Sequence, residues 1–454
     1  MMQSINPYNE KVIRSYAEHS RSEVEKIINS ADSAFKQWRC VSFEERSSLM
    51  KKAAEVLKKR KGEFGELMTL EMGKPIQQSI AEVEKCAWVC EYYSEYAEQF
   101  LTDELIKTDA TKSYVSYQPL GVVLAVMPWN FPFWQVFRFA APGLMAGNAG
   151  ILKHSSNVSG CALAIEEVFK EAGFSENLFR TILVKSLQMD FVIENPLIKA
   201  VTLTGSIPAG KAVAAKAGSL LKKIVLELGG SDPYIILEDA DLVEASTTCV
   251  TSRLINGGQS CIAAKRFIIV ESIYDDFEKL FVENMKKVKM GDPFDKEILL
   301  GPQASISLRD ELHQQVIKSV KFGAKLLIGG ELPKMKGAFY TATVLSNIKK
   351  GMPAYDEELF GPVAALIKVK DENEAVETAN DSVFGLGAAV FSRDVERAEN
   401  IARTKLNAGS CFVNSFVKSD PRLPFGGVNQ SGYGRELSVF GIREFVNIKT
   451  VYIK

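Results

Sequence analysis

The segment NGGQSCIAAK, residues 256–265, places a thiol, Cys261, shortly after two glycines. A cysteine can act as a nucleophile when its environment favours the thiolate. The glycines would let the backbone approach a ligand closely, and a helix beginning near Ile262 would lower the pKa of a thiol at its amino end. A structural cysteine is the alternative, so the segment alone does not decide the role of Cys261.

A carboxylate stands at the end of a short apolar segment, VLELGG. Glu227 follows Leu226 and precedes two glycines. Burial at the end of a strand would raise the pKa of this carboxyl group toward the range useful for a general base. The alternative is an ordinary ion pair with Lys222 or Lys223.

Two further segments place polar groups just after predicted strands. Gly205 and Ser206 precede Pro208, and Ser206 could cap a helix whose amino end binds an anion such as pyrophosphate. An ordinary strand-to-helix turn explains that segment equally well. In the segment MPWNFP, the amide of Asn130 could donate to a developing oxyanion or could satisfy the backbone of the turn.

Hydrophobic periodicity predicts the elements that must position these groups. Residues 21–101 have the spacing of helices, and from about residue 120 short apolar strands alternate with helices, including one at Phe133–Met145. This alternation indicates an α/β fold with two doubly wound parallel-sheet domains. The predicted strands are Val122–Met127, Gly150–Leu152, Thr181–Val184, Ala200–Leu203, Lys223–Leu228, Tyr234–Leu237, Phe267–Val270, Lys325–Ile328, Ala364–Lys368, Gly387–Phe391 and Cys411–Val413. Two more, Ser113–Tyr117 and Phe445–Ile453, would form a small oligomerisation sheet against a neighbouring subunit.

Composition excludes several classes of function. The 454 residues include 55 basic and 56 acidic side chains, so no charge bias indicates nucleic acid or an anionic membrane as a partner. No signal peptide or membrane-spanning segment is predicted. Seven scattered cysteines fit a reducing cytoplasm, and three distant histidines predict no metal site.

Seven motifs occur in one order along the chain: PWNFP at 128–132, the tetrad that begins with Lys153, TGS at 204–206, ELGG at 227–230, GQSC at 258–261, EELFGP at 357–362 and PFGGVNQSGYGRE at 424–436. In this combination the chain resembles the NAD(P)-dependent aldehyde dehydrogenase superfamily from about residue 5 to its end. The resemblance implies an NAD(P)-binding domain at 1–228 with the strand 113–117 in the oligomerisation sheet, a catalytic domain at 229–435, and a return strand at 436–454. It also implies a homodimer or homotetramer.

The resemblance implies roles for the residues singled out above. Cys261 would attack an aldehyde, and the Asn130 amide with the Cys261 backbone N–H would hold the oxyanion of the thiohemiacetal. After hydride transfer leaves a thioester, Glu227 would activate the water that releases the acid. The residues implied in cofactor binding are Trp129, Asn130, Lys153, Ser155, Ser156, Gly205, Ser206, Leu228, Glu358 and Phe360.

Two departures from the family pattern concern the cofactor. Many NAD-preferring members carry a glutamate at the position of Ser156, where it repels a 2′-phosphate. We therefore expect NADP to be accepted alongside NAD. The segment Arg180–Ser186 also lacks the usual glycine-bearing pattern, which leaves its cofactor contacts open.

Arg138 is the residue that bears on the substrate. Asn130, Trp134 and Arg138 follow at spacings of four and would share a helix stripe that faces Cys261. An arginine buried on an apolar helix needs an anion, unless it extends to solvent. In the succinate-semialdehyde dehydrogenase branch, which the chain resembles most, an arginine here binds the distal carboxylate of the substrate.

The resemblance to that branch implies succinate semialdehyde as the substrate, with Arg138, Trp134 and Ser419 in contact with it. A second arginine of the branch is replaced by Ile255, and Arg253 or Arg422 are candidates to compensate. Glutarate semialdehyde and simple aliphatic aldehydes are alternative substrates. A CoA-acylating enzyme or a non-catalytic binding protein of the same fold is a further alternative, which the presence of Glu227 disfavours.

Overall fold

The computed structural model describes residues 1–454 and is built around two sheets that are mainly parallel. The first sheet has six strands, in the spatial order Gly432–Tyr433, Lys223–Glu227, Ile198–Thr204, Val122–Met127, Ala149–His154 and Phe179–Thr181. The second has seven, in the order Lys325–Ile328, Thr343–Ser346, Val363–Val369, Arg266–Val270, Pro233–Ile236, Gly387–Phe391 and Ser410–Val413. The predicted α/β class is confirmed, although each sheet also has one antiparallel edge strand, Gly432–Tyr433 in the first and Lys325–Ile328 in the second.

Helices connect the strands and also form the amino-terminal region. The α-helices are Arg21–Trp38, Phe43–Lys59, Lys61–Met72, Ile76–Leu101, Trp134–Met145, Ser159–Glu171, Met189–Glu194, Ile207–Ser219, Leu242–Leu254, Tyr274–Lys286, Ile306–Lys321, Pro353–Asp356, Glu372–Asn380, Val395–Thr404 and Ser438–Glu444. None of them is both long and apolar enough to cross a membrane.

The second sheet is buried on both faces. Ile235 and Ile268 belong to one apolar core, whereas their neighbours Tyr234, Ile236 and Phe267 belong to another. Successive side chains of a strand point to opposite faces, so both faces of this sheet are covered. This two-sided burial explains why its strands are continuous apolar runs in the sequence.

The predicted small sheet is also present. Val446–Ile453 pairs antiparallel with Lys112–Pro119, which pairs with the short strand Glu104–Leu105. A fourth, two-stranded sheet, Met2–Ile5 with Val12–Tyr16, was not predicted.

Two details of the prediction are wrong. The strand expected at Thr181–Val184 is found at Phe179–Thr181, because Leu183 instead exchanges hydrogen bonds with His19, which draws the chain away from the sheet. The strand Thr343–Ser346 was not predicted, although it is fully buried between two others.

Candidate active site

Three adjacent strands of the first sheet deliver three candidate residues to one edge. Ile198–Thr204 lies between Val122–Met127 and Lys223–Glu227 and is parallel to both. The carboxyl ends of parallel strands meet at the same edge, which is where ligands bind in open α/β sheets. Asn130 and Ser206 line one cleft despite their separation in sequence, whereas Glu227 ends the adjacent strand and lines neither that cleft nor the cavity beside Cys261.

Ser206 caps the helix Ile207–Ser219. Its Oγ accepts a hydrogen bond from the Ala209 N–H at 3.4 Å, and Pro208 occupies an early helical position. The amino end of this helix carries unpaired N–H groups and the positive end of the helix dipole. The turn at Gly205 and Ser206 can therefore accommodate the pyrophosphate of a dinucleotide.

The cysteine-bearing loop belongs to the second sheet and is hydrogen-bonded to the first. The Asn130 side-chain amide donates to the Gln259 carbonyl oxygen at 3.1 Å, and the Asn256 amide donates to the Asn130 carbonyl oxygen at 2.6 Å. One N–H of the Asn130 amide has no partner in the protein. That N–H is available to an oxyanion beside Cys261, whose side chain lines the same cleft.

The helix expected after Cys261 is not present. The chain turns at Cys261–Ala263 and enters the strand Arg266–Val270. The reason is Lys265, a buried residue that was not predicted to have a role. Its Nζ donates to the carbonyl oxygens of Ser260 at 2.9 Å and Cys261 at 2.8 Å. These carbonyls turn toward an ammonium group and do not form a first helical turn.

The electrostatics of the thiol differ accordingly from the prediction. Burial raises the pKa of Cys261 to about 12, and the positive charges of Arg138 and Lys265 lower it only partly. A helix amino end therefore does not activate the thiol. Deprotonation requires a base nearby, or further positive charge in the adjacent cleft.

The two glycines before the cysteine allow a left-handed backbone, and Gly258 also allows close packing of the loop. Asn256, Gly257 and Gly258 all have positive φ, at 53°, 60° and 78°. A Cβ on Gly258 would lie 2.2 Å from the carbonyl oxygen of Gly361, in the EELFGP motif. The loop thus packs directly on the backbone of a second motif, and only glycine permits this approach.

Glu227 is a buried carboxyl group without a partner. Neither of its oxygens accepts a hydrogen bond, and burial, with the negative charge of Glu436 next, raises its pKa well above the ordinary value. The alternative ion pairs are not found, since Lys223 pairs with Glu444 and Lys222 donates to backbone carbonyls. An unpaired carboxyl with a raised pKa has the properties of a general base.

The predicted cofactor residues fall into two groups. Seven line one cleft of about 240 Å³ together with Cys261, namely Trp129, Asn130, Gly205, Ser206, Leu228, Glu358 and Phe360. Lys153, Ser155 and Ser156 lie at the end of the next strand, Ala149–His154. The two groups are therefore adjacent at one sheet edge, as the two ends of a dinucleotide would require.

Arg138 already has an anionic partner within the protein. Its Nε lies 2.7 Å from Oε2 of Glu436, both side chains are almost completely buried, and the guanidinium lies 4.6 Å from the centre of the Phe425 ring. The premise that burial of Arg138 requires an anionic ligand is therefore wrong, because the protein supplies the anion. Arg138 nevertheless lines the cavity that contains Cys261, so its contact with substrate stays a prediction.

The two arginines considered as substitutes for the second carboxylate-binding arginine are engaged elsewhere. Arg253 is buried and donates to the Gly258 carbonyl oxygen at 2.7 Å, which supports the cysteine-bearing loop. Arg422 forms a paired contact with Asp420 at 2.7 and 2.9 Å. Neither lines the cavity beside Cys261.

Comparisons with known proteins agree with this site. The chain matches the aldehyde dehydrogenase family over residues 1–451. It is 47% identical over 450 residues to a probable succinate-semialdehyde dehydrogenase (NADP+) of Synechocystis sp., with 99% of each chain covered. It is also 47% identical over 454 residues to a succinate-semialdehyde dehydrogenase (NADP+) of Mycobacterium avium, with 99% of this chain and 96% of that protein covered.

A solved structure of lower sequence identity has nearly the same fold. The succinic semialdehyde dehydrogenase of Streptococcus pyogenes in complex with NADP+ superposes with a TM-score of 0.98 at 38% identity, with 100% of both chains covered. The chain therefore belongs to the aldehyde dehydrogenase family, and it is an NAD(P)-dependent enzyme of that family.

The packing at Gly258 generates a first prediction. Replacing Gly258 with Ala should lower the free energy of unfolding by roughly 2 to 5 kcal/mol, because the new Cβ meets the Gly361 carbonyl at a left-handed position. Aldehyde oxidation should be lost with it. Gly218→Ala is the control, because no atom lies within 4 Å of its Cβ and helix propensity favours alanine. Thermal unfolding of both variants tests this, and equal stability of the two would contradict the assigned packing.

A second prediction concerns Glu227. Glu227→Gln should reduce steady-state turnover by about 100-fold or more, while a burst of about one reduced nicotinamide per active site remains. In the unmodified enzyme the hydrolytic step should accelerate as pH rises through the raised pKa of this carboxyl, since only the ionised form is a base. Stopped-flow absorbance measures both. Glu55→Gln, at an exposed helix position, is the control, and full turnover by Glu227→Gln would refute the role.

Proposed function

We propose that this enzyme oxidises succinate semialdehyde to succinate, with NADP or NAD as the cofactor. The observation that carries the proposal is the position of Cys261, which lines both the cofactor cleft and a separate cavity of about 480 Å³. An aldehyde in that cavity can reach the thiol from one side while the cofactor lies on the other. The similar enzymes of Synechocystis sp. and Mycobacterium avium, named for this substrate, support the choice.

The residues of the site account for each step. The Cys261 thiolate attacks the aldehyde carbon, and the resulting oxyanion accepts hydrogen bonds from the free N–H of Asn130 and the backbone N–H of Cys261. A bound nicotinamide supplies the hydride acceptor. Glu227 then takes a proton from water as the water attacks the thioester, and the acid leaves with Cys261 as the released thiolate.

NADP use is supported by the charges around the predicted adenosine end. Lys153 has no carboxylate within ion-pair distance, and its Nζ approaches the Ser186 hydroxyl at 3.4 Å. Ser156 is exposed and carries no charge. A phosphate at this place would meet the Lys153 ammonium and hydroxyl donors, and no negative side chain at position 156 would repel it.

The domain boundaries, the oligomeric state and the cellular location are proposed from the resemblance to the aldehyde dehydrogenase family. The boundaries 1–228, 229–435 and 436–454 stay a prediction, as do the homodimer or homotetramer and the cytoplasmic location. The small sheet has exposed apolar side chains, Leu105, Ile448 and Tyr452, which support its role in oligomerisation.

A third prediction addresses the cofactor. The kcat/KM for NADP should be no less than about one hundredth of that for NAD. Ser156→Glu should reduce NADP use by about tenfold or more and spare NAD, because a carboxylate repels the 2′-phosphate. Steady-state kinetics with both cofactors measure this, with NAD as the internal control. A preference of the unmodified enzyme for NAD beyond that limit would refute NADP use.

A fourth prediction addresses the substrate. Succinate semialdehyde should have a kcat/KM at least about tenfold above that of butanal, which has the same chain length without the carboxylate. Glutarate semialdehyde belongs in the same panel as the competing acidic substrate. Addition of CoA should yield no acyl-CoA, because water takes the acyl group. Equal values for acidic and neutral aldehydes would contradict the proposal.

A further inference from the structure

The cavity beside Cys261 is mostly apolar but has a polar region formed by Lys85, Trp134 and Ser419. Lys85 lies on the helix Ile76–Leu101, Trp134 begins the next helix in the chain, and Ser419 lies in a loop of the second sheet. Trp134 and Ser419 were predicted from the sequence to contact the substrate, whereas Lys85 belongs to none of the seven motifs.

The three side chains form a cluster of hydrogen-bond donors. Lys85 Nζ donates to Ser419 Oγ at 2.9 Å, and Trp134 Nε1 donates to the same oxygen at 2.9 Å. The Lys85 ammonium also lies 4.3 Å from the centre of the Trp134 ring. Both lone pairs of the Ser419 oxygen are thus occupied, so its O–H must donate elsewhere, and the protein offers it no acceptor.

Lys85 has no anionic partner. No carboxylate lies within 4.0 Å of its Nζ, and the ammonium retains two N–H groups without an acceptor in the protein. Each nearby carboxylate has its own cation, since Glu82 pairs with Lys74, Asp420 with Arg422 and Glu436 with Arg138. A cation and a free hydroxyl donor that have no anionic partner in the protein form a site for an anion.

We propose that the Lys85 ammonium and the Ser419 hydroxyl bind the distal carboxylate of an ω-carboxy aldehyde whose carbonyl carbon reaches Cys261. This assignment rests on the proposed function and names the cation that selects the substrate. Lys85 would thus supply the second positive charge for the carboxylate, which in the succinate-semialdehyde dehydrogenase branch comes from an arginine at the position of Ile255. Arg138 contributes less free charge than Lys85, because Glu436 already neutralises it.

The environment of Lys85 adds a dependence on pH. Burial, and next the charge of Arg138, lower the pKa of Lys85 to about 8, against smaller opposing effects of Cys86, Glu82 and Asp420. The ammonium is present below that pH and is lost above it, while the substrate carboxylate stays ionised throughout. The KM for succinate semialdehyde should therefore increase as pH rises past about 8, and the KM for butanal should not.

The test compares Lys85→Met and Lys85→Arg in the full-length enzyme. Lys85→Met should raise the KM for succinate semialdehyde and the inhibition constant of succinate by about 10- to 100-fold, the usual effect of a lost charge-assisted hydrogen bond. Its kcat/KM for butanal should stay within about twofold, which also shows that the variant is folded. Lys85→Arg should recover most of the affinity, and should abolish the rise of KM near pH 8. Lys107→Met, at an exposed position, is the matched control.

The outcomes separate this inference from the proposed function. If the unmodified enzyme prefers succinate semialdehyde and Lys85→Met keeps that preference, the inference is wrong and the function stands. If the unmodified enzyme does not discriminate between the two aldehydes, the proposed function itself fails. Should Lys85→Met not fold, Ser419→Ala replaces it, and an equal loss with both aldehydes would again overturn the inference.

Discussion

The site depends on a pair of hydrogen bonds that join the first sheet to the cysteine-bearing loop of the second. Asn130 follows a strand of the first sheet, whereas Asn256 and Gln259 belong to a loop of the second. Their amides and carbonyls bond to each other across the interface at 2.6 and 3.1 Å. Cys261 and Ile262 also pack against the apolar core of the first sheet, so these hydrogen bonds set the position of the Asn130 amide relative to Cys261 within an interface that is packed as well.

The two groups that are proposed to react lie where water is scarce, since Glu227 is buried and Cys261 is half-buried. Both the Cys261 thiol and the Glu227 carboxyl have raised pKa values, because their surroundings remove water and offer few donors. A raised pKa means that the neutral form of each group is favoured relative to the same group in water, because the neutral form loses less on burial. A positively charged ligand in the adjacent cleft would favour the thiolate of Cys261. The chemistry is thereby coupled to occupancy of the cleft.

Much of the fold was predictable from local pattern, and the errors have local causes. The two-sided burial of the second sheet produces continuous apolar runs, so most of its strands were found. The helix predicted after Cys261 does not form, because Lys265 binds the carbonyl oxygens of Ser260 and Cys261, which a first helical turn would orient differently. The partner of Arg138 is Glu436, which is distant in sequence and lies within a glycine-rich motif. Periodicity carries no information about such a pair.

One face of the helix Ile76–Leu101 contacts the cysteine-bearing loop, the helix that begins at Trp134 and the cavity beside Cys261. Lys85 lies on this face, outside every motif, and was therefore not predicted from the sequence. Gln78, Glu82 and Lys85 lie at spacings of four and three, so they share one face. Gln78 accepts the Asn256 N–H at 2.7 Å, and Glu82 accepts the backbone N–H of Trp134 at 3.0 Å. One face of this helix therefore supports the cysteine-bearing loop, fixes the helix that begins at Trp134, and presents a cation to the cavity beside Cys261. Lys85 forms no hydrogen bond or ion pair with Cys261 or Glu227, so the charge that is proposed to select the aldehyde can change while these two side chains stay in place.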